Sequence, residues 1–134
     1  MKFKYKKFGA AILRPVIPVT IGYEGHSVTY EALVDSGADI CIFDTELGEV
    51  LGIDVESGVR QEVSGVGGGS PEPTYLHEVS LSVGGHVFSV VVAFKANFAR
   101  FGHGVLGQRG FFEQFVVKFD LAKEEIELKS YTGV

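Results

Sequence analysis

Apolar and polar positions alternate along most of the chain with the period of a strand. Lys2, Lys4 and Lys6 alternate with Phe3 and Tyr5, as on a half-exposed terminal strand whose lysines discourage edge pairing. "PVIPVTIG", residues 15–22, reads as a strand that Pro15 and Pro18 place at an edge or a bulge. "YEGHS" turns the chain back into a second strand over 27–34, "SVTYEALV". A short apolar strand follows at Ile40–Phe43. "DTELGEVLG" predicts a helical turn, capped by Asp44 or Thr45 and ended by Gly52. Residues 59–83 read as two strands around the loose loop "SGVGGGSPEPT". Gly84-Gly85 marks a tight hairpin into "HVFSVVVAF". "VLGQRGFFEQF" predicts a strand end running into a short C-terminal helix, and "VVKFDLAKEEIEL" a last hairpin turning at Asp120–Glu124. These elements predict one mostly-β domain over residues 1–134.

One stretch breaks the pattern. In "EALVDSGADICIFD", residues 31–44, an apolar run through Ala32, Leu33 and Val34 meets a carboxylate, Asp35, and then turns apolar again at Ile40. An Asp before Ser-Gly at a strand end is ordinarily a turn residue that accepts hydrogen bonds from nearby backbone N–H groups. Here it follows a buried strand, so it is not fully solvated, and Gly37 lets the backbone turn tightly. About seventy residues later a second apolar-Gly element, Val105-Leu106-Gly107, precedes the helix-like stretch.

Composition narrows the classes of function. With 134 residues, 46% apolar and 22% charged, the chain is long enough for a hydrophobic core and is not disordered. A net charge of −5 argues against nucleic acid as a partner, because phosphate binding needs a basic face. No apolar run approaches the ~18 residues of a membrane span, and no signal-like segment opens the chain. The single cysteine excludes an internal disulfide and fits a reducing compartment, which reads as cytoplasmic.

Other chemistries are weighed on the same page. The run Gly65–Ser70 lacks the Gly-Lys-Ser/Thr ending of a phosphate loop, and Pro71 and Pro73 follow it. Cys41 as a nucleophile would need His77, His86 or His103 beside it; inside an apolar strand it reads instead as a small buried hydrophobe. The four histidines lack close metal-ligand spacing, and His26 and His86, beside turns, are expected to face solvent, so no metal and no cofactor is expected.

The order of "ALVDSGAD" (32–39), a hairpin carrying "SGVGGGSP" (64–71) and "GVLGQRGFFEQF" (104–115) resembles the retropepsin-like aspartic proteases, the single-domain family that includes the retroviral proteases. The likeness extends from about residue 14 to residue 129. It implies a closed β-barrel-like fold with one short C-terminal helix and a β-hairpin flap, here over residues 62–74. It implies Asp35 as the catalytic carboxylate, Ser36 as the hydroxyl that locks two active-site loops across a homodimer, and Gly37 as backbone presented to substrate. Ala38 would line the site, Asp39 would contact the backbone of a bound polypeptide, and Val66, Gly67 and Gly68 would close over it as part of the flap. Arg14 matches a position that pairs with the Asp39 position of the other subunit, while on its own it reads equally as a surface arginine. Val105, Leu106 and Gly107 would pack behind the catalytic loop. Apolar substrate pockets would draw on side chains such as Val34, Ile40, Val66 and Val105.

The sequence departs from the retroviral pattern after the second motif. An arginine usually follows that glycine directly, whereas here Gln108 follows Gly107 and Arg109 comes one later. The chain is also longer before residue 14 and around 44–60 and 94–103. These differences favour a cellular or prokaryotic relative. The expected activity is endopeptidase cleavage by two copies, one Asp35 each; the alternative is a non-catalytic module on the same fold that binds an extended peptide or dimerises.

Overall fold

The computed structural model describes residues 1–62 and 73–131, and among them strands dominate. They are β1 (Lys2–Lys4), β2 (Lys6–Lys7), β3 (Leu13–Arg14), β4 (Val16–Tyr23), β5 (His26–Val34), β6 (Ile42–Asp44), β7 (Val59–Glu62), β8 (Pro73–Val83), β9 (His86–Lys95), β10 (Gly104–Leu106), β11 (Phe115–Asp120) and β12 (Glu125–Ser130). One short helix, α1 (Thr45–Val50), lies between β6 and β7.

The main sheet runs β4-β5-β10-β6-β9-β8-β7, and a further pairing of β4 with β8 closes six of its strands into a barrel. Closure removes most free edges. Tight turns fix the registers. Glu24 and Gly25 both take positive φ, so β4 and β5 meet at Tyr23↔His26. Gly84 and Gly85 do the same for β8 and β9 at Val83↔His86. Positive φ at both central positions gives the turn twist that suits a two-residue hairpin. Pro18 is exposed and lies outside the Thr20–Gly22 pairing of β4 with β8, where the strand has a partner on one side only.

The barrel interior is filled by alternating residues from facing strands, among them Ile17, Val19, Ile21, Leu81, Val92, Phe43, Phe94 and Leu106. Phe111 and Phe115 close one side of this core, both fully buried. Helix α1 is capped as expected: Asp44 Oδ1 accepts from Glu46 N at 2.8 Å. The second Asp44 oxygen accepts from Ala99 N at 2.7 Å, so one buried carboxylate ties the helix start to the 98–101 turn.

One expectation meets a different arrangement. The one α-helix among the described residues is this early one, whereas residues 108–114 form turns, broken by a parallel bridge of Arg109 to Ile40, rather than a C-terminal helix. Gly110 takes φ +97, and Phe112 N and Gln114 N donate to Gly107 O and Phe111 O. The bridge of Arg109 to Ile40 holds the start of this stretch extended, and the positive φ of Gly110 is not a helical conformation, so no helical run forms before β11. The flap hairpin is framed by β7 and β8, paired from Val59↔Leu76 to Glu62↔Pro73. Its expected tip, with Val66, Gly67 and Gly68, lies outside the described residues.

The termini build a separate three-stranded sheet, β1-β12-β11. Phe3 and Tyr5 pack on the core while Lys2 and Lys4 face out, as the alternation predicts. Among the described residues, no helix is long and apolar enough to cross a membrane.

Candidate active site

The site is made by one crossing. Strand β5 ends at Val34, and β6 begins only at Ile42. Between them slips β10, parallel to β5 through Gly104↔Ala32, Val105↔Leu33 and Leu106↔Val34, and antiparallel to β6 through Val105↔Ile42. The loop carrying Asp35 therefore wraps around the exit of β10. Five main-chain bonds hold it: Asp35 N donates to Leu106 O at 3.0 Å, Ala38 N to Asp35 O at 3.2 Å, Val34 N to Pro15 O at 2.9 Å, Gln108 N to Ala38 O at 2.8 Å, and Arg109 N to Asp39 O at 2.9 Å.

Glycines make the crossing possible. A Cβ on Gly107 would stand 2.3 Å from Ile40 O and 2.7 Å from Ala38 O, both backbone atoms that the crossing fixes. A Cβ on Gly104 would strike the Phe43 ring at 2.5 Å.

Asp35 sits half-buried at the mouth of this arrangement, with Ser36, Gly37 and Asp39 exposed and Ala38 half-buried beside it. Its Oδ1 accepts from Gly37 N at 2.8 Å. Its second oxygen has no hydrogen-bond partner among the described residues. Among the described residues the carboxylate is thus oriented at one oxygen and unpartnered at the other, which suits a group that must exchange a proton with a ligand.

The supporting residues fall in two groups. Val105, Leu106 and Gly107 are buried directly behind the loop. Arg14 is half-buried on β3, its guanidinium over the Phe8 ring at 4.7 Å. Of the apolar pocket candidates, Val34 points into the barrel core and leaves no surface for a ligand. Val105 belongs to a small cluster with Ile42 and Ala93, and half-buried Ala38, Ile40, Leu76 and Phe98 pack against that cluster. Ile40 is the candidate that retains a partly open face.

The structure also shows two residues whose part in this loop the sequence did not reveal. Cys41 is fully buried, its Sγ accepting from Gly107 N at 3.5 Å and donating to Arg109 O at 3.6 Å. Burial pushes its thiol up to about 11, against nucleophilic use. The Gln108 carboxamide donates to Ser36 O. Its sequence signal was its place directly after Gly107, where the retroviral pattern has arginine. The histidines lie elsewhere: His77 bonds Val55 O at 2.7 Å, His103 is buried with Nδ1 3.0 Å from Gly104 O, and His26 is exposed. His86 differs from expectation, half-buried with its ring 5.2 Å from Phe115 and 5.7 Å from Phe88.

A family model described as aspartyl protease matches residues 17–109, which contain both halves of the crossing. The chain belongs to the aspartyl protease family. No curated protein matches it. Among solved structures, a retropepsin-like aspartic protease from Rickettsia conorii is similar at 16% identity and TM-score 0.69, over 96% of this chain and 88% of that one. The retroviral protease-like domain of Ddi1 from Leishmania major is similar at 20% identity and TM-score 0.56, over 86% and 87% of the two chains. EIAV protease, solved with the inhibitor HBY-793, is similar at 22% identity and TM-score 0.51, over 70% and 81%. These likenesses establish the retropepsin fold of this aspartyl protease family member.

Proposed function

We propose that the protein is an aspartic endopeptidase that cleaves peptide bonds within extended polypeptides, as a homodimer with one Asp35 from each copy. The observation that carries this reading is the crossing itself, which holds a half-buried Asp35 with one oxygen fixed by Gly37 N–H and the other without a partner among the described residues. Amide hydrolysis needs a base to activate water and an acid to protonate the leaving nitrogen. Two carboxylates sharing one proton supply both, because crowded like charges do not both ionise readily. One chain contributes one such loop, so a second copy related by a two-fold axis completes the pair. Ser36 locks the two loops across the axis, Gly37 and Asp39 hold the peptide backbone, and Ala38 lines the floor. Arg14 supports the loop from the neighbouring copy, and residues 62–74 act as the lid. No cofactor is needed, and the single buried cysteine suits a cytoplasmic setting.

Rate should follow a bell-shaped pH profile with a mildly acidic optimum, since Ala38 carries no side-chain hydroxyl to stabilise the ionised pair; a maximum below about pH 3.5 would count against this. Gly67→Ala combined with Gly68→Ala should slow turnover, because lid motion gates entry.

The deciding experiment is digestion of a diverse peptide mixture by wild type and Asp35→Asn from pH 4 to 7, read by mass spectrometry. Cuts made by wild type and absent in Asp35→Asn are expected. Cuts shared by both proteins would remove Asp35 from the chemistry. No cuts by a verified dimer would favour a peptide-binding module instead.

A further inference from the structure

We propose that Gln108 is a positioning residue for Asp35, acting through the Ser36–Gly37 peptide unit. This rests on the reading of Asp35 as the working carboxylate and adds a residue to it. Ser36 O and Gly37 N belong to one rigid, planar peptide group. At its oxygen end that group accepts from the Gln108 carboxamide. At its nitrogen end it donates to Asp35 Oδ1 at 2.8 Å. Gln108 therefore holds the far side of the plane whose N–H meets the carboxylate. Without it, the Ser36–Gly37 plane loses its hold at the oxygen end, and a small tilt of that plane weakens the N–H bond to Oδ1.

Two further features strengthen the assignment. Gln108 is itself anchored, its backbone N donating to Ala38 O at 2.8 Å, so its side chain starts from a fixed point in the same crossing. A donor on an amide oxygen also polarises that amide and strengthens its N–H as a donor, so the two bonds support one another. The neutral carboxamide does this without placing a charge beside the carboxylate, unlike an arginine at the same place. Among the described residues, Asp39 on the loop, Arg109 beyond β10 and Arg14 ahead of β4 are the charged groups nearest in the chain to these contacts, and Arg109 N donates to Asp39 O at 2.9 Å.

Gln108→Met keeps the side-chain length and removes the donor; Gln108→Ala removes both. Losing the donor leaves the Ser36–Gly37 plane held at one end only. The Gly37 amide, assigned by ¹⁵N NMR, should exchange with solvent several-fold faster in both variants than in wild type of the same oligomeric state. In turnover, kcat should fall more than KM changes, because what is lost is the orientation of the working carboxylate. Gly37 exchange that stays put in both variants overturns the proposal, even where the melting temperature falls, because Gln108 would then be a packing residue only. The exchange measurement does not depend on turnover. Failure of wild type to cut peptides would sink the peptidase reading alone.

Discussion

The Asp35 loop and the terminal sheet are both places where distant parts of the chain meet, yet they are held by different means. At the loop, the bonds are mainly from main chain to main chain, and the residues are small: Gly37, Ala38, Gly104 and Gly107. At the terminal sheet, β1 meets β12 through the ladder Lys2↔Glu127 to Lys4↔Glu125, and its outer face is dressed with ion pairs at 3.8 Å and 3.6 Å. The loop has no slack, because its neighbours are backbone atoms that do not move aside. The sheet's outer face has slack, because long solvated side chains do. Side-chain identity therefore matters most where the side chains are smallest.

Substitutions should separate the two regions. The largest effect is expected for Gly107→Ala, whose methyl would meet the carbonyl oxygens of Ile40 and Ala38. Overpacking against fixed backbone predicts a loss of about 3 kcal/mol, read by urea unfolding. A loss below about 0.5 kcal/mol would show that the crossing opens easily and that the contrast is false.

Next comes Cys41, at the centre of the crossing. Burial raises its thiol to about 11 in the folded state, above the ordinary value of 9.0. The unfolded chain releases this proton first as pH rises. The stability it contributes is thus complete below about pH 9 and disappears as pH rises through the folded value. Between pH 8 and 10.5, wild type should lose about 2 kcal/mol more than Cys41→Ala in parallel urea unfolding. Equal losses would mean that the thiol is not sealed in the crossing.

The smallest effect belongs to the outer face. Lys2→Ala should change stability by at most about 0.5 kcal/mol, since both partners of its pair with Glu127 are largely solvated. A loss of about 2 kcal/mol would reverse the comparison and make the ion pairs the main fastening of the termini.

The same difference explains what the sequence made legible. Strands with one face in the core announce themselves by alternation; two-residue turns with glycine fix the partners of β4–β5 and β8–β9, and the polar turn after Asp120 those of β11–β12, so all three hairpins are readable. Asp35 stood out because it interrupts an apolar run. The helix expected after β10 does not form, because the constraint that interrupts it, the bridge of Arg109 to Ile40 far away in the chain, is a tertiary one. Val34 looked available for substrate because it adjoins Asp35, yet the alternation of β5 turns it inward. The bonds of Gln108 and Cys41 to segments 72 and 66 residues away have no local signature at all. Main-chain contacts between distant segments carry no residue code beyond the glycines that permit them.

The central claim is that two Asp35 carboxylates, one from each copy, act as a single unit. Mixing wild type with Asp35→Asn at fixed total concentration, after exchange of subunits, tests it directly. If both carboxylates are required, an equal mixture should retain about a quarter of the all-wild-type activity, the share of dimers with two intact copies. Retention of about half would mean that each Asp35 works by itself, and would contradict the paired mechanism.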